Sequence, residues 1–424
     1  MSNGVAAVWF FTVAVIAVAP RASAQQMSRT CQPELVASDQ VRHVDIGGGR
    51  FLEYARGGVL IRCLGQSTTI RADSMARYTD SERLDFHGSV EFRDSTTRLD
   101  SDWARYYTTD ERLEAYENVH LVDANTGSEL TGQNLTYFRE APGVRDTAEL
   151  YATQRPRVEY RESDDPDVEP YVIYGDRVRL KGEGNTWAGG NVTIDRSDFS
   201  AKGDSAALDM SVGEGIIIGG AEANGRDSTT YTILGSKIAF RLEGSRLSWI
   251  QAQDSAEALS AEWEASGDTI EFNIVNELLQ SGFVWGSGHR SEAVSATQMI
   301  VADSLAIDAP DQVLTEIRGY RTAQATTMQD STQEEADWIA GDTLVARFDS
   351  TETGKRVLSV ILSEGNAQAY YHVFPEEGVE GPPAINYSRG RRITAYFKDE
   401  QLERVDIIDE ADGVYLEPVV RRPP

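Results

Sequence analysis

The sequence predicts an all-β protein, an elongated roll or sandwich of stacked two-stranded units. A pattern recurs along it: a small residue, usually a polar one next, then apolar residues at alternate positions, as in "SDWARY" from Ser101 and "GDTIEF" from Gly267. Within these pieces Val178 and Leu180, Ile238 and Phe240, or Ile270 and Phe272 alternate with the period of a half-buried strand. The 36 Gly, with abundant Thr, Ser and Asp, favour turns between short strands, and almost no helical period is present.

Two neighbouring copies are the least eroded. "ADSMARYTDSERL" at 72–84 aligns without gaps to "SDWARYYTTDERL" at 101–113, sharing Asp73/Asp102, Tyr78/Tyr107, Thr79/Thr108 and Glu82-Arg83-Leu84/Glu111-Arg112-Leu113. The series continues with "GQNLTY" at Gly132, "GDRVRL" at Gly175, "GDSAAL" at Gly203 and "GSKIAF" at Gly235. After Gly267 come "ADSLAI" at Ala302, "GDTLVARF" at Gly341 and "GRRITAYF" at Gly390. That makes about ten copies at a spacing of about thirty residues. Two wider gaps, around "YRESDDPDVEP" and "FPEEGVEGPP", read as polar insertions.

Between starts lies a second half-motif, such as Leu84, Gly88 and Val90, or Leu278, Gly282 and Val284, so each unit is two strands joined by a turn. One unit cannot bury its inner face alone. Copies must stack and share a continuous apolar interior. About twenty strands in two sheets, at about 4.8 Å spacing, give a stack roughly 50 Å long with open ends that invite pairing.

A chain of 424 residues is long enough for two or three ordinary domains or for one extended repeat structure. The opening "MSNGVAAVWFFTVAVIAVAPRASAQQ" is apolar from Val5 to Ala19 and ends in Ala22-Ser23-Ala24, a small-x-small cleavage pattern. Residues 1–24 therefore read as a secretory signal, since about 15 apolar residues fall short of the roughly 20 that a span needs. A retained N-terminal anchor is the alternative. Residues 25–160 hold the first repeats, and 161–424 hold further repeats, continuous with the first roll or a second domain. The only two cysteines, Cys31 and Cys63, are most simply a disulfide in an oxidising compartment. A metal site is the alternative, with His43 the nearest histidine.

Charge and spacing exclude several functions. A net charge of -28 leaves no clustered Lys and Arg for phosphates, so nucleic acid is not an expected partner. In "GDSAAL", Ser205 resembles a lipase nucleophile, yet His372 has no Asp three residues ahead, and other copies place Arg177, Lys237 or Thr269 at the same position. The recurrent aspartates Asp73, Asp102, Asp176, Asp204, Asp268, Asp303 and Asp342 lie too far apart for calcium nonapeptides, so a turn or strand-start role is expected. The five histidines match no zinc spacing. No catalytic residues, metal or cofactor are expected.

The segments "IRADSMARYTDSERLDFHGSVEF", "RLDSDWARYYTTDERLEAYENVHLVDANTGSELTGQNLTYF" and "GRRITAYFKDEQLERVDIIDEADGVYLEP" resemble the OstA-like domain of lipopolysaccharide-transport proteins. That family includes the bridge protein LptA and the N-terminal domain of LptD. The resemblance is strongest at 57–137 and 390–418. It implies a periplasmic or outer-membrane-associated β-jelly roll that takes up lipopolysaccharide or a related glycolipid. The implied partners are other OstA-like transport proteins, a copy of itself end to end, and the outer-membrane translocon. The chain is longer than one bridge domain and lacks barrel-type strands of the translocon. The expected lipid-lining positions are Leu135, Val178, Leu208, Ile238, Phe240, Ile270, Phe272, Leu305 and Leu344, although the same alternation also suits a dry core. The alternative function is an envelope scaffold or assembly factor that binds partners by β-augmentation without lipid cargo. A carbohydrate-active β-solenoid enzyme would need carboxylates gathered in one groove, and the scattered Asp series does not supply them.

Overall fold

The structure is a computed structural model. It describes residues 30–161, 168–182, 184–226, 231–243, 246–327, 335–351, 355–374, 382–398 and 401–418. The signal read at 1–24 lies outside them, as do parts of both polar insertions.

The chain opens with β1 (Pro33–Ala37), β2 (Gln40–Gly47), β3 (Arg50–Cys63), β4 (Thr69–Tyr78), β5 (Arg83–Arg93), β6 (Thr97–Tyr107), β7 (Arg112–Asp123) and β8 (Glu129–Phe138). Four short strands follow: β9 (Glu149–Thr153), β10 (Arg157–Tyr160), β11 (Tyr171–Tyr174) and β12 (Arg177–Lys181). Longer ones resume with β13 (Asn185–Asp195), β14 (Phe199–Asp209), β15 (Glu214–Gly225), β16 (Thr232–Glu243), β17 (Arg246–Leu259), β18 (Trp263–Val275) and β19 (Leu278–Trp285). The last group is β20 (Ser291–Ser295), β21 (Gln298–Ala302), β22 (Ser304–Asp308), β23 (Glu316–Thr327), β24 (Trp338–Ser350), β25 (Arg356–Val373), β26 (Ala384–Lys398), β27 (Gln401–Ile408) and β28 (Asp412–Leu416). All 28 strands among the described residues join one sheet, mostly by pairing with the next strand in sequence. The expected all-β class holds.

Most long strands carry a bulge near the middle. In β5 the register with β6 slips between His87 and Val90, where Gly88 and Ser89 have φ of 80° and 46°. A bulge bends the strand. Gly88 and Ser89 there face the single residue Asp102 of β6, and burial keeps its phase along β5: Leu84 and Phe86 before the bend and Val90 and Phe92 after it are all buried. Both halves therefore face one interior, and a contiguous apolar cluster runs from Cys31 to Ala395.

In places the bend becomes a break. The segment after β8 is split into β9 and β10, and the next into β11 and β12, so the pairings close a six-strand barrel, β8–β10–β11–β13–β12–β9. The same circuit recurs at β18–β20–β21–β23–β22–β19.

The bends correct the reading of the aspartates. Asp176 and Asp303 stand just before β12 and β22, as a strand-start role requires, but Asp73, Asp102, Asp204, Asp268 and Asp342 lie within strands. Each of several covers the left-handed corner of the following strand. Asn118 donates to Asp102 at 2.7 Å, Asn191 to Asp176 at 3.2 Å, Asn366 to Asp342 at 3.0 Å and Thr322 to Asp303 at 3.0 Å. A Cβ on Gly88 would sit 2.3 Å from Asp73 Oδ2. Glycine at that corner keeps both the positive φ and the close aspartate.

Candidate functional site

The interior differs along its length. Between β4 and β8 it is filled, with Phe86, Phe92, Leu99 and Leu113 fully buried. Each such side chain contributes roughly 1.5–3 kcal/mol by leaving water. A polar network joins the turns at the strand ends of this stretch, Gln66 after β3, Asp94 after β5, Glu111 before β7 and Arg139 after β8. Arg139 donates to Glu111 at 2.7 Å and lies 3.5 Å from Asp94, while Tyr106 and the backbone N–H of Cys31 also donate to Glu111. Tyr137 donates to Asp94 at 3.3 Å, and Gln66 accepts from Arg139 at 3.2 Å. Burial first, and then the Glu111 carboxylate, push the Tyr106 phenol far above its ordinary value. Cys31 and Cys63 form a disulfide beside this network, tying the segment before β1 to the end of β3.

From β16 onward the interior is looser. A cavity of about 450 Å³ is lined by Tyr231, Trp263, Phe272, Leu279, Ile307 and Leu314. Trp263 and Arg356 also border a second cavity of about 470 Å³, where the β17/β18, β20/β21 and β24/β25 turns converge. Gln298 and Phe397 in turn border a third of about 650 Å³, toward β27. The three are contiguous through shared walls. Their apolar walls mix buried side chains, such as Ile233, Ile274, Ile317, Ile339 and Ile361, with six that keep some exposure, Trp263, Phe272, Leu279, Leu314, Phe397 and Leu402.

A few polar groups orient this trough. Burial, with Asp198 adding, pushes the Tyr231 phenol up to about 12, so the wall there is an uncharged hydroxyl. Arg356 and Lys355 stand at the middle cavity, and Arg404 at the last. His372, also in the last cavity, bonds through Nδ1 to Asp337 at 2.7 Å, and its backbone N–H donates to the same oxygen at 3.0 Å. Among the described residues no group of three or more His, Cys, Asp or Glu is placed to hold a metal. Compared with known proteins, the chain matches no family model and no curated protein.

Of the nine positions expected to line a lipid site, Phe272 alone borders the trough. Leu135, Val178, Ile238, Ile270, Leu305 and Leu344 are buried and border none of these cavities. Leu208 and Phe240 are buried and border a separate, smaller cavity of about 340 Å³ between β13 and β17. Trp263, Leu279, Leu314, Phe397 and Leu402 went unnoticed in the sequence, because they sit at strand ends, turns or after a break in alternation. Trp263, the first residue after a polar turn, was the one available signal.

Proposed function

We propose that this chain is a non-enzymatic lipid-binding or bridge protein of the periplasm, serving transport of lipopolysaccharide or a related glycolipid and outer-membrane assembly. In this reading the stack of bent strands is a β-jelly roll of the OstA type, and acyl chains lie in the trough between β16 and β27. The carrying observation is the run of three adjacent cavities that share wall residues, the first mainly apolar and the other two mixing apolar walls with charged groups such as Arg356, Glu403 and Arg404. Burying about ten methylenes at about 0.8 kcal/mol each gains roughly 8 kcal/mol, the free energy of micromolar binding. The partners that fit are glycolipid, other OstA-like proteins or a second copy end to end, and an outer-membrane translocon.

Photo-crosslinkers at Phe272, Leu314 and Phe397 test the reading in cells. Glycolipid capture at these three, well above that at the outward Arg179 and Lys237, is expected. Equal labelling at all five ends the conduit idea.

One observation favours the scaffold alternative. Strand β28 is exposed throughout, with Val414, Tyr415 and Leu416 more than half uncovered (55%, 53% and 56%), and among the described residues both β27 and β28 pair only with β26. Such an edge accepts a partner's strand. Native mass spectrometry separates the two: retained lipid supports the first, and a lipid-free chain with a stable protein partner supports the second.

A further inference from the structure

A second cleft lies on the opposite, outward face of the sheet. It has a volume of about 340 Å³, at the low end of the roughly 300–1,000 Å³ of small-ligand sites. Strand pairing defines it. One row runs Trp187, Ala207, Ile216, Ala239 across β13 to β16, and the adjacent row runs Asn185, Asp209, Glu214, Arg241, Trp249 across β13 to β17. Leu208, Gly215 and Phe240, in the row between these two and facing the other side of the same strands, also contribute to its lining, while Trp187, Ala207, Ile216, Ala239, Arg241 and Trp249 give it its outward side.

Its walls are indoles and its floor is small. Trp187 is 37% exposed, with the Arg179 guanidinium 4.9 Å from its ring. Trp249 carries the Arg241 guanidinium 5.5 Å from its ring. Four strand intervals, about 19 Å of backbone, separate the two walls, and Ala207 and Ala239 leave the space between open. Elsewhere on the molecule outward aromatics fill such space themselves: Trp103 and Tyr116 stack at 4.0 Å with His87 beyond, closing any slot.

The polar groups select the ligand. Arg241 is already paired with Glu214 at 3.1 Å, which leaves Asp209 as the unneutralised charge, together with the Asn185 amide. That disfavours anions. A flat indole beside a carboxylate and an amide suits a ring with an apolar C–H face and a belt of hydroxyls, which can stack on one and hydrogen-bond to the other. We infer that the Trp187–Trp249 cleft binds an uncharged oligosaccharide. The inference stands independently of the lipid trough, and either can fail alone.

The test titrates the purified chain with the β-1,4-linked tetramer of N-acetylglucosamine, with maltotetraose, and with tetra-alanine as a control, read by tryptophan fluorescence and saturation-transfer NMR. The two sugars distinguish a cell-wall type of glycan from a glucose polymer. Saturable binding of at least one sugar is expected, about tenfold weaker in Trp187→Ala, and lost in Ala239→Trp, which fills the cleft without removing a wall. Both changes are on the outer face, and an unchanged thermal melt verifies the fold. No saturation by either sugar below about 10 mM, unaltered binding in both variants, or equal binding of the peptide overturns the inference.

Discussion

Arg139 donates a 2.7 Å hydrogen bond to Glu111, whose side chain is wholly buried, while the residue aligned with it in the neighbouring copy, Glu82, is exposed. The same Glu-Arg-Leu triplet thus does two jobs. At Glu82 it is part of a surface turn whose carbonyl accepts from Thr108 at 3.2 Å. At Glu111 it is the buried centre of the network that joins the strand-end turns. Removing one partner of a buried ion pair leaves an uncompensated charge and costs about 3–5 kcal/mol, whereas a surface change stays within about 0.5 kcal/mol. Glu111→Gln should therefore lower the urea midpoint strongly and Glu82→Gln hardly at all. Equal shifts would mean that Glu111 does not hold the network together.

The aspartate corners predict a glycine pair. Gly47 and Gly88 share a positive φ, 83° and 80°, but a Cβ on Gly47 meets nothing within 4 Å, whereas one on Gly88 meets Asp73. Gly47→Ala should cost the left-handed penalty alone, roughly 1–2 kcal/mol. Gly88→Ala should cost clearly more, and the excess should vanish when Asp73→Gly is added. A double-mutant cycle with no coupling refutes the corner assignment.

Acid should act locally at Asp268. Its carboxylate accepts the backbone N–H groups of Gly288 and Ser287, both at 2.7 Å, and bonds the His289 ring at 2.9 Å. The Gly288 N–H, then the His289 ring, then the Ser287 N–H hold its pKa at about 2. The folded value lies below the unfolded one of about 3.9, so the stabilisation is present above about pH 4 and is lost as pH falls through about 2. The Ser287 and Gly288 amide resonances should titrate near pH 2, and wild type and Asp268→Asn should converge in stability below it. A midpoint near 4 contradicts this geometry.

Volume separates core from trough. Ala293 borders the 450 Å³ cavity, so Ala293→Phe should cut retained lipid at a stability cost of about 1–3 kcal/mol. Leu305 is fully buried and borders none of the three cavities. Leu305→Ala should cost about 2–5 kcal/mol yet leave lipid per folded molecule unchanged. Quantifying lipid by mass spectrometry in both variants checks the division, and the reverse pattern would place cargo elsewhere.

Alternation was enough to read the strands. Val178, Ile238, Ile270, Leu305 and Leu344 are buried as their spacing requires, because facing in or out of a strand depends only on parity. The aspartates were recognised as recurrent, but their role was not legible, since Asp73 acts on Gly88, across a bend in the next strand. The outward cleft was hidden for a similar reason: Trp187 and Trp249 are 62 residues apart and come to one face of the sheet only through the pairing of five strands.

The amino-acid order on its own settles that this chain makes antiparallel strands with one apolar face, because a period of two is a local property of neighbouring residues. Tertiary structure alone decides where that face closes and where it gapes. Closure near β5 rests on Phe86, Phe92 and Tyr106 filling the space and on Glu111 meeting Arg139. The opening near β18 rests on Trp263, Phe272 and Leu314 leaving it partly empty. Packing sums the volumes of side chains from many distant strands, and no single stretch of sequence carries that sum.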